Sequence, residues 1–306
     1  MTDLSTPTLA TPLFPAANAD RAAPATGHIR VEQLRVVFGR GANATLAVDD
    51  ASIEVKPGEF VSIIGPSGCG KSTLLNVVAG FVAPTAGSST VDGKPTDKPG
   101  ADRGMVFQQY SLFPWLTVRK NVEFGLRQQG LPLSRREQMA RTLLGLAGLL
   151  AFENHYPDQL SGGMRQRVGI VRALATSPQV LLMDEPFGAL DAQTRQVMQQ
   201  ILTNMWQRFK LSVLFITHDI DESIYLSDRV YVMTARPGRI KAEIPIDLPR
   251  PRTPEIAFTP EFLALKQQLR ALISAESLLA MGGELKDGGL EGFELSVGEK
   301  GVGDLL

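Results

Sequence analysis

The sequence predicts an α/β fold: a mainly parallel sheet flanked by helices, preceded by an antiparallel β subdomain and interrupted by an inserted helical subdomain. Three observations carry this expectation. First, Gly65-Pro66-Ser67-Gly68-Cys69-Gly70-Lys71-Ser72-Thr73 reads G-x-x-x-x-G-K-S. It lies between an apolar, β-branched run (59–64) and an apolar helical start (73–79), the strand–loop–helix setting that a phosphate-cradling P-loop needs. Second, strand-length apolar runs alternate with helical periodicity beyond residue 180, the pattern of parallel strands joined by crossover helices. Third, residues 29–38 and 45–55 alternate between apolar and polar types, as antiparallel strands do.

Taken in order, residues 1–27 are rich in Ala, Pro and Thr and lack the basic start and apolar core of a secretory leader; they read as a disordered arm. Residues 28–250 form the main domain. Its two alternating strands end at a turn, Lys56-Pro57-Gly58-Glu59, set by the Pro-Gly pair. After the P-loop helix, breakers dominate 80–100, with one short strand around 88–91, and residues 104–107 read as a buried strand ending at Gln108. The helical subdomain spans about 110–175, with helices at 118–129, at 134–150 with Ser134 as N-cap, and at 161–176. Strand 180–183, helix 191–210, strand 212–216, helix 220–226 and strands at 229–234 and 240–246 follow. A helical extension (251–280) and a Gly-rich, acidic, flexible tail (281–306) close the chain. There is no internal repeat.

The 306 residues are 43% apolar, enough for one large domain with appendages or for two domains. With 31 basic and 32 acidic residues the net charge is −1, so no polyanion-binding surface is advertised and no nucleic-acid partner is expected. One cysteine cannot form an intrachain disulfide, which fits a reducing cytosol. The longest apolar run, 143–152, is about half the ~20 residues needed to span a bilayer.

The chemistry gathers around phosphates. Gly65, Gly68 and Gly70 let the loop curl with its N–H groups inward, and those donors plus a helix N-terminus make an anion site. Lys71 is expected to reach the β- and γ-phosphates of a nucleotide and Ser72 to hold Mg²⁺. Residues 180–185 form an apolar run ending in Asp184 and Glu185. A carboxylate at the end of a buried strand is costly without a cation, so Asp184 fits a metal partner through water, and Glu185 then orients or deprotonates the attacking water. Leu160-Ser161-Gly162-Gly163 opens a helix with an N-cap serine and bare backbone donors, a second anion site.

Five motifs now stand in one order: the P-loop, Gln108 after a strand, Leu160-Ser161-Gly162-Gly163-Met164-Arg165-Gln166-Arg167, Asp184-Glu185 followed by Gly188-Ala189-Leu190-Asp191, and His218 in Ile216-Thr217-His218-Asp219. Over residues 28–250 the chain resembles the ATP-binding subunit of an ABC transporter. The resemblance implies the ABC ATPase fold, with ATP and Mg²⁺ as ligands. It implies a homodimer closed head to tail around two ATP molecules, each between the P-loop of one chain (65–73) and Ser161, Gly162 and Gly163 of the other. Gln108 would touch Mg²⁺ and the lytic water and sense the membrane subunit. His218 would contact the γ-phosphate, Asp191 would align the partner's P-loop, and Phe38 would stack on adenine. Met164 stands where the signature often has Gln, and Phe38 where Tyr is commoner, so no phenol hydroxyl is available there.

Gly80-Phe81-Val82, the Pro-Gly-Ala-Asp-Arg-Gly at 99–104, Leu112-Phe113-Pro114-Trp115, Glu185 to Asp191 and Arg236-Pro237-Gly238-Arg239 resemble the nitrate, sulfonate and taurine importer group. That implies ATP hydrolysis to ADP and phosphate coupled to import of a small anion, with taurine or another sulfonate favoured over nitrate. It also implies permease subunits, an extracytoplasmic solute-binding protein acting indirectly, and a peripheral place on the cytoplasmic face of the inner membrane. The loop 109–116 should be solvated yet is rich in large apolar residues. Leu112, Phe113 and Trp115 therefore read as a groove for a cytoplasmic helix of the permease; packing against the helical subdomain is the competing reading. The alternative function is a soluble ABC-type ATPase of DNA repair or translation, whose usual coiled-coil insertions and basic surfaces neither length nor charge permits. Cys69, beside Lys71 and a helix N-terminus, is expected to favour the thiolate.

Overall fold

Alternation gives β1 (Ile29–Phe38) and β2 (Thr45–Val55) one apolar face each, and the two pair antiparallel. A computed structural model describes residues 26–109, 111–188 and 190–287. Most of the expected N-terminal arm, residues 288–306 of the expected tail, Tyr110 and Ala189 lie outside the described residues. Gly27 already belongs to the folded domain: its N–H and that of His28 donate to Asp92 at 2.8 Å.

Every residue of β3 (Phe60–Ile64) is buried, as expected of a central parallel strand. It leads through the P-loop into α1 (Lys71–Ala79), whose Leu74, Leu75, Val77 and Val78 are buried. Strands β4 (Ala86–Val91) and β5 (Lys94–Pro95) complete an antiparallel sheet of order β2-β1-β4-β5. Edge strand β6 (Arg103–Val106) then delivers Gln108.

The inserted helical subdomain holds α2 (Val118–Gln128), α3 (Leu133–Leu146) and α4 (Gly162–Ala175). Thr117 caps α2. The expected cap Ser134 is instead inside the first turn of α3, which starts one residue earlier with Pro132 in the N-cap position (ψ 150°). Proline's fixed φ prepares the helix entry at that point. The apolar faces of the three helices share one core with Phe187, Met198 and Phe215.

Strands β7 (Val180–Asp184) and β8 (Ser212–Ile216), helices α5 (Ala192–Phe209) and α6 (Ile220–Leu226), and strands β9 (Arg229–Met233) and β10 (Ile240–Pro245) complete the main domain. The second sheet runs β10-β9-β3-β8-β7-β6, parallel except for β10. This order places the carboxyl ends of β3, β8 and β7 side by side, where open α/β sheets bind ligands.

Helix α7 (Pro260–Asp287) continues past residue 280, the expected end of the extension. It packs through Phe262 and Leu269 against Ile224, Val230 and Val232. Buried Arg252 fastens the extension to the main domain: its Nη1 donates to the carbonyls of Ile224, Tyr225 and Ser227, and its Nη2 to those of Ile246 and Leu248.

Candidate functional site

The P-loop follows β3 directly. Gly68 and Gly70 hold φ of 71° and 102°, the left-handed region that glycine enters without steric cost. Gly70 has a second reason: a Cβ there would stand 2.7 Å from the Ala47 carbonyl oxygen. Gly65 and Pro66 are buried, whereas Ser67, Gly68 and Ser72 are exposed and Thr73 half-buried. Lys71 Nζ donates to the carbonyls of Gly65 and Pro66 at 2.9 and 2.8 Å. The ammonium is thus held by the loop that it is expected to serve.

Ser72 Oγ donates to Asp184 Oδ1 at 3.0 Å. The expected metal partners from α1 and β7 therefore stand together. Burial pushes the Asp184 carboxyl above its ordinary value; the Ser72 hydrogen bond and the Lys71 charge oppose that shift, and Glu185 adds to it. Desolvation penalises the charged form, and a metal ion at this carboxylate would favour it. No group of three or more His, Cys, Asp or Glu suited to a metal occurs among the described residues. A hydroxyl and one carboxylate suit an ion that takes few protein ligands and completes its shell with water and phosphate oxygens, as Mg²⁺ does.

Glu185 has φ 41°, a strained value for a non-glycine residue. Its N–H donates to the Ile216 carbonyl at 2.9 Å. Gln108 Nε2 donates to its Oε2 at 3.2 Å, and His218 Nδ1 lies 3.3 Å from the same oxygen. Gln108 and His218, expected from separate motifs, thus converge on one carboxylate oxygen of Glu185, because β6, β7 and β8 are neighbours in the sheet.

The signature serine stands elsewhere. Ser161 is the N-cap of α4, its Oγ accepting from Met164 N–H at 3.3 Å. Among the described residues, no hydrogen bond joins residues 161–163 to residues 65–73 of the same chain. Gly163 is needed for packing, since a Cβ would lie 2.5 Å from Thr194 Cγ2. Asp191 caps α5, accepting from Thr194 N–H at 2.9 Å, and this bond holds its carboxyl below the usual range. Phe38 is 46% exposed at the end of β1, so it is no core aromatic.

Cys69 departs from expectation. It is 1% exposed, and burial raises its thiol despite Lys71 Nζ at 3.7 Å. Desolvation outweighs the nearby charge, so the site does not favour a thiolate.

Three supporting residues carry no signal of their own in the sequence. Arg195 joins two loops of the site, donating from Nη1 to Asp219 Oδ2 at 2.9 Å and from Nη2 to the Leu190 carbonyl at 3.2 Å. Fully buried Asn121 holds the aromatic loop through Phe113, Leu116 and Thr117. Arg172 bonds the Ser111 carbonyl at 2.7 Å and lies 5.6 Å over the Phe113 ring. In that loop Leu112 packs on the core, Phe113 stacks 5.6 Å from Trp115 and 4.5 Å from Phe124, and Trp115 is 71% exposed.

Comparison with known proteins agrees with this geometry. A family profile described as "ABC transporter" matches residues 48–188. The nitrate import ATP-binding protein NrtD of Synechocystis sp. is 48% identical over 252 residues, 80% of this chain and 95% of that protein. The taurine import ATP-binding protein TauB of Rhizobium johnstonii is 46% identical over 258 residues, 82% and 98% of the two chains. Among solved structures, the dimeric post-hydrolysis state of the ATP-binding cassette MJ0796 bound to ADP and Pi superposes with TM-score 0.65 at 33% identity. That match covers 72% of this chain and 99% of the other. Motif order, sheet order and full-length relatives coincide, and the chain belongs to the ATP-binding, ATP-hydrolysing subunits of ABC transporters.

Proposed function

We propose that this chain drives an ABC importer for a small anion, a sulfonate such as taurine or else nitrate. The observation that carries the hydrolytic part is the meeting of Gln108, Glu185 and His218 beside the Ser72–Asp184 pair. Glu185 orients the attacking water and accepts its proton. His218 and Gln108 hold the Glu185 carboxylate and face the γ-phosphate. Lys71 leaves the Gly65 and Pro66 carbonyls for the β- and γ-phosphates, which offer it charge in place of dipoles. Ser72 and Asp184, with Gln108, hold Mg²⁺, which when bound neutralises charge on the transferring phosphoryl group. Phe38 offers adenine an exposed ring.

The second phosphate-binding helix start, residues 161–163, serves the nucleotide of a second copy. Among the described residues its bonds are to its own helix rather than to this chain's P-loop; that, and the dimeric state of the related cassette, support a head-to-tail homodimer in which Asp191 meets the partner's P-loop. Residues 112–115 dock a cytoplasmic helix of the permease. No helix among the described residues is long and apolar enough to cross a membrane. The likeness to importer ATP-binding proteins supports a subunit acting from the cytoplasmic face through that contact, with the solute-binding protein on the other side of the membrane. The anion rests on the names of the relatives, which also favour an importer over a soluble ATPase of DNA repair or translation.

Glu185→Gln tests the reading. ATP hydrolysis should fall about 100-fold or more, the worth of a positioned general base, and MgATP should hold the variant as a dimer in size-exclusion chromatography. Hydrolysis at the wild-type rate would remove Glu185 from the role.

A further inference from the structure

The turn after β9 presses against the outer side of the P-loop. Arg236 Nε donates to the Gly68 carbonyl at 2.9 Å, and its Nη2 fills the space that a Cβ on Gly68 would enter, 2.6 Å away. Gly238 lies so close to the Cys69 carbonyl that a Cβ there would overlap the oxygen. Gly238 is itself fixed to β2: its N–H donates to the Ala47 carbonyl at 3.0 Å, and its carbonyl accepts from Asp49 N–H at 2.9 Å.

The same turn is held from the other side by the C-terminal extension. Ala235 N–H donates to Glu276 Oε2 at 2.9 Å, and Lys241 Nζ donates to Glu276 Oε1 at 2.6 Å. Glu276, on α7, is only 6% exposed. One bond thus separates a residue held by α7 from a residue that grips the phosphate loop.

We propose that Arg236 is a positioning residue of the nucleotide site and that α7 governs it through Glu276. A trans peptide is planar, with its C=O and N–H on opposite sides. A donor that keeps the Gly68 oxygen on the outer side of the loop keeps the Cys69 N–H on the inner side, toward a bound phosphate. A cation on that carbonyl also polarises the shared amide and strengthens its N–H as a donor. Glu276 fixes the Ala235 amide and so the point from which the Arg236 side chain departs. The inference rests on the nucleotide-binding reading of residues 65–73 and adds a control exerted from outside them.

The test uses the full-length protein with Arg236→Met, Arg236→Lys, Glu276→Met and the Arg236→Met/Glu276→Met pair. Binding of a fluorescent ATP analogue, KM and kcat for ATP, and the nucleotide-free melting temperature are measured. Arg236→Met should weaken analogue binding and raise KM about tenfold, the worth of one charge-assisted hydrogen bond, with kcat within about twofold. Arg236→Lys should recover most of the affinity, which a loss of general stability would not allow. Glu276→Met should raise KM by a smaller factor, and the pair should be no worse than Arg236→Met alone. Wild-type affinity in Arg236→Met, or no rescue by Lys, overturns the role of Arg236; an unchanged KM in Glu276→Met or an additive pair overturns the link to α7. A wild-type protein that does not bind the analogue overturns the nucleotide reading itself, an outcome distinct from either.

Discussion

Replacing Asn121 with Ala should free the aromatic loop while leaving the parallel sheet intact. The amide is fully buried and serves four backbone groups. Its Oδ1 accepts from Phe113 N–H at 2.8 Å, and its Nδ2 faces the carbonyls of Phe113, Leu116 and Thr117 at 3.1, 3.0 and 3.1 Å. Two of those carbonyls keep another donor: Leu116 N–H bonds Phe113 O at 3.1 Å, and Asn121 N–H bonds Thr117 O at 2.8 Å. The loss therefore falls on Phe113 N–H and the Leu116 carbonyl. A buried group left unpaired costs about 1–3 kcal/mol; Phe113 and Leu116 are half-buried, so the two groups together fall at the lower end, and opening the loop becomes easier by about 2–4 kcal/mol. At about 1.4 kcal/mol per factor of ten, the Phe113 amide should exchange with deuterium on the order of 100-fold faster. The Val213 amide, bonded to the Glu59 carbonyl at 2.8 Å in the core, serves as control. Unchanged exchange at Phe113, or an equal rise at Val213, would refute the reasoning: the first denies the anchor, the second makes the loss global.

Two further substitutions probe the metal pair and the docking loop. Because burial raises the Asp184 carboxyl, the folded chain binds that proton more tightly than the unfolded one. Stability contributed by this group therefore falls as pH rises from the ordinary carboxylate value through the raised one, and stays lower above it. Asp184→Asn should raise the nucleotide-free melting temperature at pH 7, flatten that part of its pH profile and abolish Mg²⁺-dependent stabilisation by ATP; a lower melting temperature than wild type at pH 7 contradicts the assignment. Trp115→Asp alters a side chain that is 71% exposed, so stability should change by no more than about 0.5 kcal/mol while solute uptake by cells is lost. Wild-type uptake in that variant rules out the loop as the permease contact.

Much of the site is legible because its chemistry is local in the chain. Glycines at 65, 68 and 70, a lysine, a hydroxyl and a flanking strand and helix specify a phosphate loop without reference to anything distant. The paired carboxylates after an apolar run are equally local. Asn121, Arg236 and Arg252 escape such reading because their partners are largely backbone carbonyls, which look alike at every position of a sequence; Arg195 escapes it because the carboxylate it meets, Asp219, is 24 positions away along the chain. Cys69 shows the limit from the other side. Spacing places it beside a cation and a helix start, but its ionisation is decided by how much water reaches the sulfur, and burial removes that water.

By itself the sequence determined the elements, the motif order and the residue types that phosphate chemistry needs, since periodicity and spacing are properties of a chain. Only the tertiary structure decided which of them meet. Gln108, Glu185 and His218 are far apart along the chain, and the first and last meet at one oxygen of Glu185 because β6, β7 and β8 pair in that order. The grip of Arg236 on Gly68, with α7 behind it, likewise exists only once β9 lies beside β3. Strand order is a long-range choice: which all-apolar strand lies beside which is decided by the burial of whole faces in the sheet, beyond what the pattern within any one strand specifies.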